Sequence, residues 1–202
     1  MSTVAAHAPV VEESPPPQLY RFTVEQYELM TTAGVFSTFD RTELLEGWIV
    51  KKMTQHPPHA VAIEYFQEIV RPLLPDEWRV RDQKPIITGE SNPEPDLTIV
   101  RGPTSRYATR HPRSADIALV VEVADTTIHE DRSRKGRIYA RARIPIYWIV
   151  NVTDLQIEVY THPKGGKSPA YRERRDYGPK ETVPLILAGR EVAQIPVQEL
   201  LP

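Results

Sequence analysis

Cysteine is absent from the chain. Disulfides, thiolate nucleophiles and sulfur-ligated zinc are thereby excluded, so any metal must be held by carboxylate, imidazole, carbonyl or water, a donor set suited to hard ions such as magnesium or manganese. No apolar stretch comes near the roughly 18 residues that a membrane span requires. The N-terminus lacks the charged-then-apolar pattern of a secretory signal, which predicts a cytoplasmic protein without membrane association. Neither sign of charge dominates: 25 basic residues face 27 acidic ones, for a formal net charge of −2. A strongly basic nucleic-acid binder is disfavoured by that balance. Internal repeats, a Gly-rich phosphate loop and a Gly-x-Ser-x-Gly elbow are also missing.

At 202 residues and 40% hydrophobic content, there is enough apolar material for one enzyme-sized domain. Residues 1–18 contain Glu12-Glu13-Ser14-Pro15-Pro16-Pro17 and no hydrophobic periodicity, and are expected to form a disordered tail ahead of a single domain over 19–202. The near-neutral sum hides an uneven distribution. Residues 1–50 hold two basic residues against seven acids, whereas residues 101–150 hold ten against five. A second basic group, from Lys164 to Lys180, could extend a footprint for a polyanion; solvated surface charge is the plainer reading.

Thr23 and Gln26 have capping-box spacing and predict a helix that ends before Gly34. Leu44 to Val50 reads as a strand interrupted by Glu46-Gly47. Pro57-Pro58 introduces a helix over His59–Leu74, with Val61, Tyr65, Ile69 and Leu73 on its apolar face beside Ala62 and Phe66. Strands are expected at 78–87, from Asp96, at 117–124, at 145–150 and, with an alternating half-exposed pattern, at 155–160. The Arg- and Pro-rich segment 101–114 reads as a mobile loop, a helix is expected over 130–143, and Trp48, Trp78 and Trp148 as core. The fold class is α/β (mixed α+β), a central mixed sheet flanked by helices.

Glu122 lies in Ile117-Ala118-Leu119-Val120-Val121-Glu122-Val123-Ala124, otherwise unbroken in its apolar character. Such a run is a strand buried on both faces, where an unpaired carboxylate costs several kcal/mol. Asp96 heads a second apolar strand. Counting back three from Ile138 on the inward stripe of the next helix gives Lys135, with Asp131 one turn earlier on the same face. Two readings fit a lysine so placed, an active-site ammonium and a buried salt bridge. Asp96 and Glu122, with the Val123 carbonyl, have the chemistry to hold a divalent ion for phosphodiester hydrolysis, and Lys135 to position the nucleophile or stabilise the transition state. Glu46 is a further candidate, completing the shell or serving as a structural strand-end acid. His59, behind two prolines, suits a capping role as well as a supporting one. Arg132, Arg134 and the loop residue Arg113 are candidates for meeting a nucleic-acid backbone.

Pro95-Asp96 followed by Glu122-Val123-Ala124 resembles the Pro-Asp…(Asp/Glu)-x-Lys signature of the restriction-endonuclease-like superfamily. Leu45-Glu46-Gly47, His59, Glu94-Pro95-Asp96, Val121-Glu122-Val123, Asp131 with Lys135 and Tyr139, and Ile144 to Val150 together resemble the Uma-type family within it, over about residues 20–200. The resemblance implies a restriction-endonuclease-like core, magnesium-dependent cleavage of DNA, and a homodimer. Ala124 stands where the superfamily signature has its lysine, and the Uma-type pattern supplies that lysine from the following helix, at Lys135. Two alternatives are a nuclease-shaped protein that binds nucleic acid or a partner without cutting, and a hydrolase using Asp96 and Glu122 as an acid/base pair on a non-nucleotide substrate.

Overall fold

A computed structural model describes residues 18–37, 40–52 and 54–202; residues 1–17 of the expected tail lie outside the described residues. The helix α1 (Val24–Thr32) starts with the predicted capping box, Thr23 and Gln26 exchanging side-chain and backbone hydrogen bonds. A six-stranded sheet follows in the order β3 (Trp78–Asp82), β4 (Leu97–Arg101), β5 (Ile117–Ala124), β6 (Ile146–Asn151), β7 (Gln156–Lys164) and β8 (Ala170–Tyr177). All neighbours are antiparallel except the central pair β5 and β6. Parallel neighbours need a long crossover. Here it is helical: α3 (Ile128–Glu130), a π-helical turn (Asp131–Lys135) and α4 (Gly136–Arg141).

Every residue of β5 and β6 is buried because apolar layers cover both sheet faces. One layer joins Leu119, Val121, Val123 and Trp148 to the helix α2 (Pro57–Val70) and to the hairpin of β9 (Thr182–Leu187) and β10 (Arg190–Pro196). The other joins Val120, Ala124, Tyr147 and Ile149 to Ile138 and Tyr139 of α4. Glu122 shares the parity of Val120 and Ala124, so its side chain leaves the sheet on the α4 side.

Several expectations are corrected. The segment 44–50 is a hairpin of β1 (Thr42–Leu45) and β2 (Trp48–Lys51), in which Glu46 (φ 51°) and Gly47 (φ 82°) form the two-residue turn with both backbones left-handed. The strand expected over 78–87 stops at Asp82. On α2 the buried stripe is Ala62, Ile63, Phe66 and Val70, while Tyr65 and Leu73 face solvent; the stripe containing bulky Phe66 prevails over its equally apolar neighbour. Trp48 is only half-buried, beneath the Arg21 guanidinium. The Arg-rich loop is tied down by Asp116, which receives Arg106 and Arg110.

Candidate active site

Register brings the two acids of the sheet together. Leu97 pairs with Val121, so Asp96, one residue ahead of β4, falls opposite Glu122. The Asp96 N–H reaches Glu122 Oε2 at 3.4 Å, and the Val123 N–H donates to Asp96 Oδ2 at 2.9 Å. From the first turn of α2, His59 Nε2 lies 3.0 Å from the same Oδ2. Both carboxylates thus sit at the C-terminal end of β5, between the start of α2 and the crossover helix.

The crossover helix supplies the cation. Lys135 and Asp131 close the two ends of the π-helical turn, and both are buried. Lys135 Nζ lies 3.0 Å from Glu122 Oε1, 3.8 Å from Asp131 Oδ1 and 4.0 Å from Glu43 Oε1. Tyr139, on the next turn, donates its hydroxyl to Glu122 Oε1 at 2.5 Å, and Thr127 donates to Asp131 Oδ2 at 2.6 Å.

Glu43 was not among the residues singled out from the sequence. It is 4% exposed on β1, and its Oε2 accepts the N–H of Glu94 at 3.0 Å. Its signal was present: once Glu46-Gly47 is seen as a hairpin turn, Glu43 becomes an acid in the middle of a short buried strand, as anomalous as Glu122. Lys52, just past β2, donates to the Glu94 carbonyl at 2.6 Å and lines the same pocket.

Glu46 is not brought to the pocket. Holding the turn, it aims its carboxylate along the outside of α4, where Arg137 binds it at 3.0 and 2.6 Å and Arg141 at 2.8 Å. The Arg137 hydrogen bond, helped by Arg141, keeps its carboxyl below the usual range against a smaller opposing effect of burial. Arg132 is likewise engaged elsewhere, clasping the buried Glu158. Arg113 lines a different cavity, beside α1, and its N–H caps onto Asp116. Arg134 does line the pocket, 3.3 Å from Glu130.

The cavity encloses about 300 Å³ and is lined by Glu43, Asp96, Glu122 and Asp131 with Lys52, Lys135 and Arg134. Burial, reinforced by the charges of Asp96, Asp131 and Glu43, pushes the Glu122 carboxyl up to about 8 despite Lys135. Burial likewise raises Asp131 to about 6, with Lys135 opposing. Burial would raise Asp96 too, but the hydrogen bond and charge of His59 outweigh it and hold this carboxyl below its ordinary value. Burial works against the Lys135 ammonium, yet the surrounding carboxylates, Glu122 foremost, hold it well above the normal lysine range. Gln55 Nε2 and His59 Nδ1, both at this pocket, are buried polar atoms without a protein partner.

Among the described residues, no three carboxylate or imidazole groups already surround one point at metal-binding separation. The donor chemistry nevertheless fits a hard divalent ion: the facing groups are oxygen donors, and carboxylates outnumber the adjacent cations. An ion would engage Asp96 and Glu122 by replacing their present hydrogen bonds to His59, Lys135 and Tyr139.

The sequence matches the Uma2 family, described as "Putative restriction endonuclease", over residues 24–198. No curated protein matches it. Among solved structures it is similar to the crystal structure of "a putative nuclease belonging to DUF820" from Anabaena variabilis, with a TM-score of 0.64 and 14% sequence identity, covering 89% of this chain and 97% of that one. At that identity the likeness establishes the fold.

Proposed function

The chain belongs to the Uma2 family of restriction-endonuclease type, and from that premise we propose that it is a metal-dependent endonuclease hydrolysing phosphodiester bonds in DNA. The observation carrying this reading is the gathering of Glu43, Glu122 and Asp131 around the ammonium of Lys135, with Asp96 beside Glu122, at the end of β5. Asp96 and Glu122 are the groups to hold magnesium or manganese, with the Val123 carbonyl beside them. When bound, such an ion supplies Lewis acidity and neutralises charge on the scissile phosphate.

The protein's own groups do the rest. Lys135, kept protonated by its carboxylates, offers N–H donors to negative charge developing on the phosphoryl oxygens. Asp131 and Tyr139 fix the positions of that ammonium and of Glu122. His59 orients Asp96. Arg134 at the rim is available to a phosphate, and Arg132 and Arg113 act in structure rather than in binding. The reading includes a single domain over 19–202, a cytoplasmic setting, and a homodimer, since two copies related by a two-fold axis are the simplest device for cutting both strands of a duplex. Among the described residues no helix is long and apolar enough to cross a membrane.

Incubation with supercoiled plasmid tests this. Nicking or linearisation is expected with magnesium or manganese, none in chelator, and none from Asp96→Asn. Cutting that persists in chelator would favour the acid/base hydrolase instead, and binding without cutting would favour a nuclease-shaped binder.

A further inference from the structure

We propose that the edge strand β3 is the track for the phosphate backbone of the nucleic acid, leading it to the active site. This rests on the nuclease reading and adds to it the surface that holds the substrate. Strand β3 pairs with β4 on one side and with no other described strand on the other. Along it runs a groove of about 610 Å³ that presents Arg79, Arg81 and Lys84. Five residues at about 3.3 Å each give it a length of roughly 16 Å. Beyond its far end the main chain runs on beside Asp96: the N–H of Gln83, the residue after β3, donates to the backbone carbonyl of Asp96 at 2.9 Å.

The two arginines of this strand differ from those that carboxylates hold elsewhere in the protein. Arg106 and Arg110 are held by Asp116, Arg132 by Glu158, Arg137 and Arg141 by Glu46, and Arg174 by Asp176. Among the described residues Arg79 and Arg81 form no ion pair with any carboxylate. The Arg81 guanidinium is half-buried against the Tyr107 ring, 5.1 Å from its centroid, and its Nε is a buried donor without an acceptor. A partly desolvated guanidinium without an anionic partner gains from an arriving phosphate oxygen. Arg101 lies over Trp78 at 4.8 Å at the other end of the groove, so aromatic rings hold guanidinium groups at both ends. Asp82 tempers the charge only loosely, 3.8 Å from Lys84 and itself well exposed, and Asp76 is an exposed acid at the groove's entrance.

Fluorescence anisotropy of a labelled DNA duplex, measured in chelator over a range of salt, tests the proposal. Arg79→Gln/Arg81→Gln is expected to weaken binding at least tenfold and to flatten the plot of log affinity against log salt by about 1.8, since each lost phosphate contact removes about 0.9. Arg79→Glu/Lys84→Glu alters only exposed side chains and is expected to weaken binding as much or more while melting like wild type. Removing the same charge from the opposite edge, with Arg172→Gln/Arg175→Gln on β8, is expected to leave both quantities unchanged. Equal losses from β8 and β3, or wild-type binding by both β3 variants, would overturn the track. Plasmid cutting separates the two readings: wild-type cutting with normal DNA affinity in the β3 variants removes the track alone, whereas a wild-type chain that neither binds nor cuts DNA removes both.

Discussion

Glu122 and Glu158 are both sealed from solvent, at 1% and 0% exposure, yet their carboxyl groups are displaced in opposite directions. Glu158, on β7, receives Arg132, Arg174, Asn151 and Tyr160. Burial opposes its ionisation, but these partners overcome it and lower the group to about 2. Glu122 receives one ammonium, one phenol and the more distant Asp96 N–H, too few to offset its burial among three other carboxylates, and rises to about 8. Burial of an acid therefore does not mark a site by itself. The balance of partners does: a surplus of donors locks a carboxylate into the architecture, and a deficit leaves it waiting for a cation.

Activity should separate the two regions most widely. Asp96→Asn or Glu122→Gln is expected to reduce metal-dependent DNA cleavage by on the order of a thousandfold, while Glu158→Gln leaves the rate per folded molecule unchanged; initial rates on plasmid check this. Stability should divide them the other way. Glu158→Gln strands Arg132 and Arg174 and is expected to cost about 3 kcal/mol in urea unfolding, whereas Glu122→Gln removes a charge that has too few partners and leaves stability equal or higher at pH 8.

The pH dependence of stability without metal sharpens the contrast, because the two groups have opposite signs. Glu122 has a folded value above its ordinary 4.5, so its contribution is fully present below 4.5 and is lost as pH rises towards about 8. Glu158 has a folded value below 4.5, so its contribution is present above 4.5 and is lost as pH falls towards about 2. Thermal melts should show the decline between about pH 4.5 and 8 flattened in Glu122→Gln, and the decline below about pH 4.5 flattened in Glu158→Gln. The smallest effect belongs to Glu46, paired with half-exposed arginines: Glu46→Ala is expected to cost about 1 kcal/mol or less and to leave metal binding intact by calorimetry.

Much of the central region could be read from the chain before folding. An acid inside an apolar strand, a Pro-Asp at the head of another, and a lysine in phase with Ile138 and Tyr139 are local patterns, and the structure brings their side chains together. What escaped depends on less local facts. Glu43 was hidden because a hairpin turn with Glu46 in a left-handed backbone is rare for a non-glycine residue, so the chain through 44–50 looked like one strand. Strands β8, β9 and β10 were not foreseen; in β8, Arg172-Glu173-Arg174-Arg175 has the charged character of a protected edge, without an apolar alternation to reveal it. The capture of Arg132 by Glu158 joins residues 26 apart in sequence, and no motif records it. For α2, two neighbouring stripes were comparably apolar, and only packing could choose between them.

Calorimetric titration of manganese at pH 8, where an arriving ion favours loss of the proton from the raised Glu122 carboxyl, tests the central claim most directly. Wild type and Glu158→Gln should bind the ion with comparable heats, and Asp96→Asn should show none. Absence of binding by wild type, or undiminished binding by Asp96→Asn, would contradict the assignment of the carboxylate cluster as a metal centre.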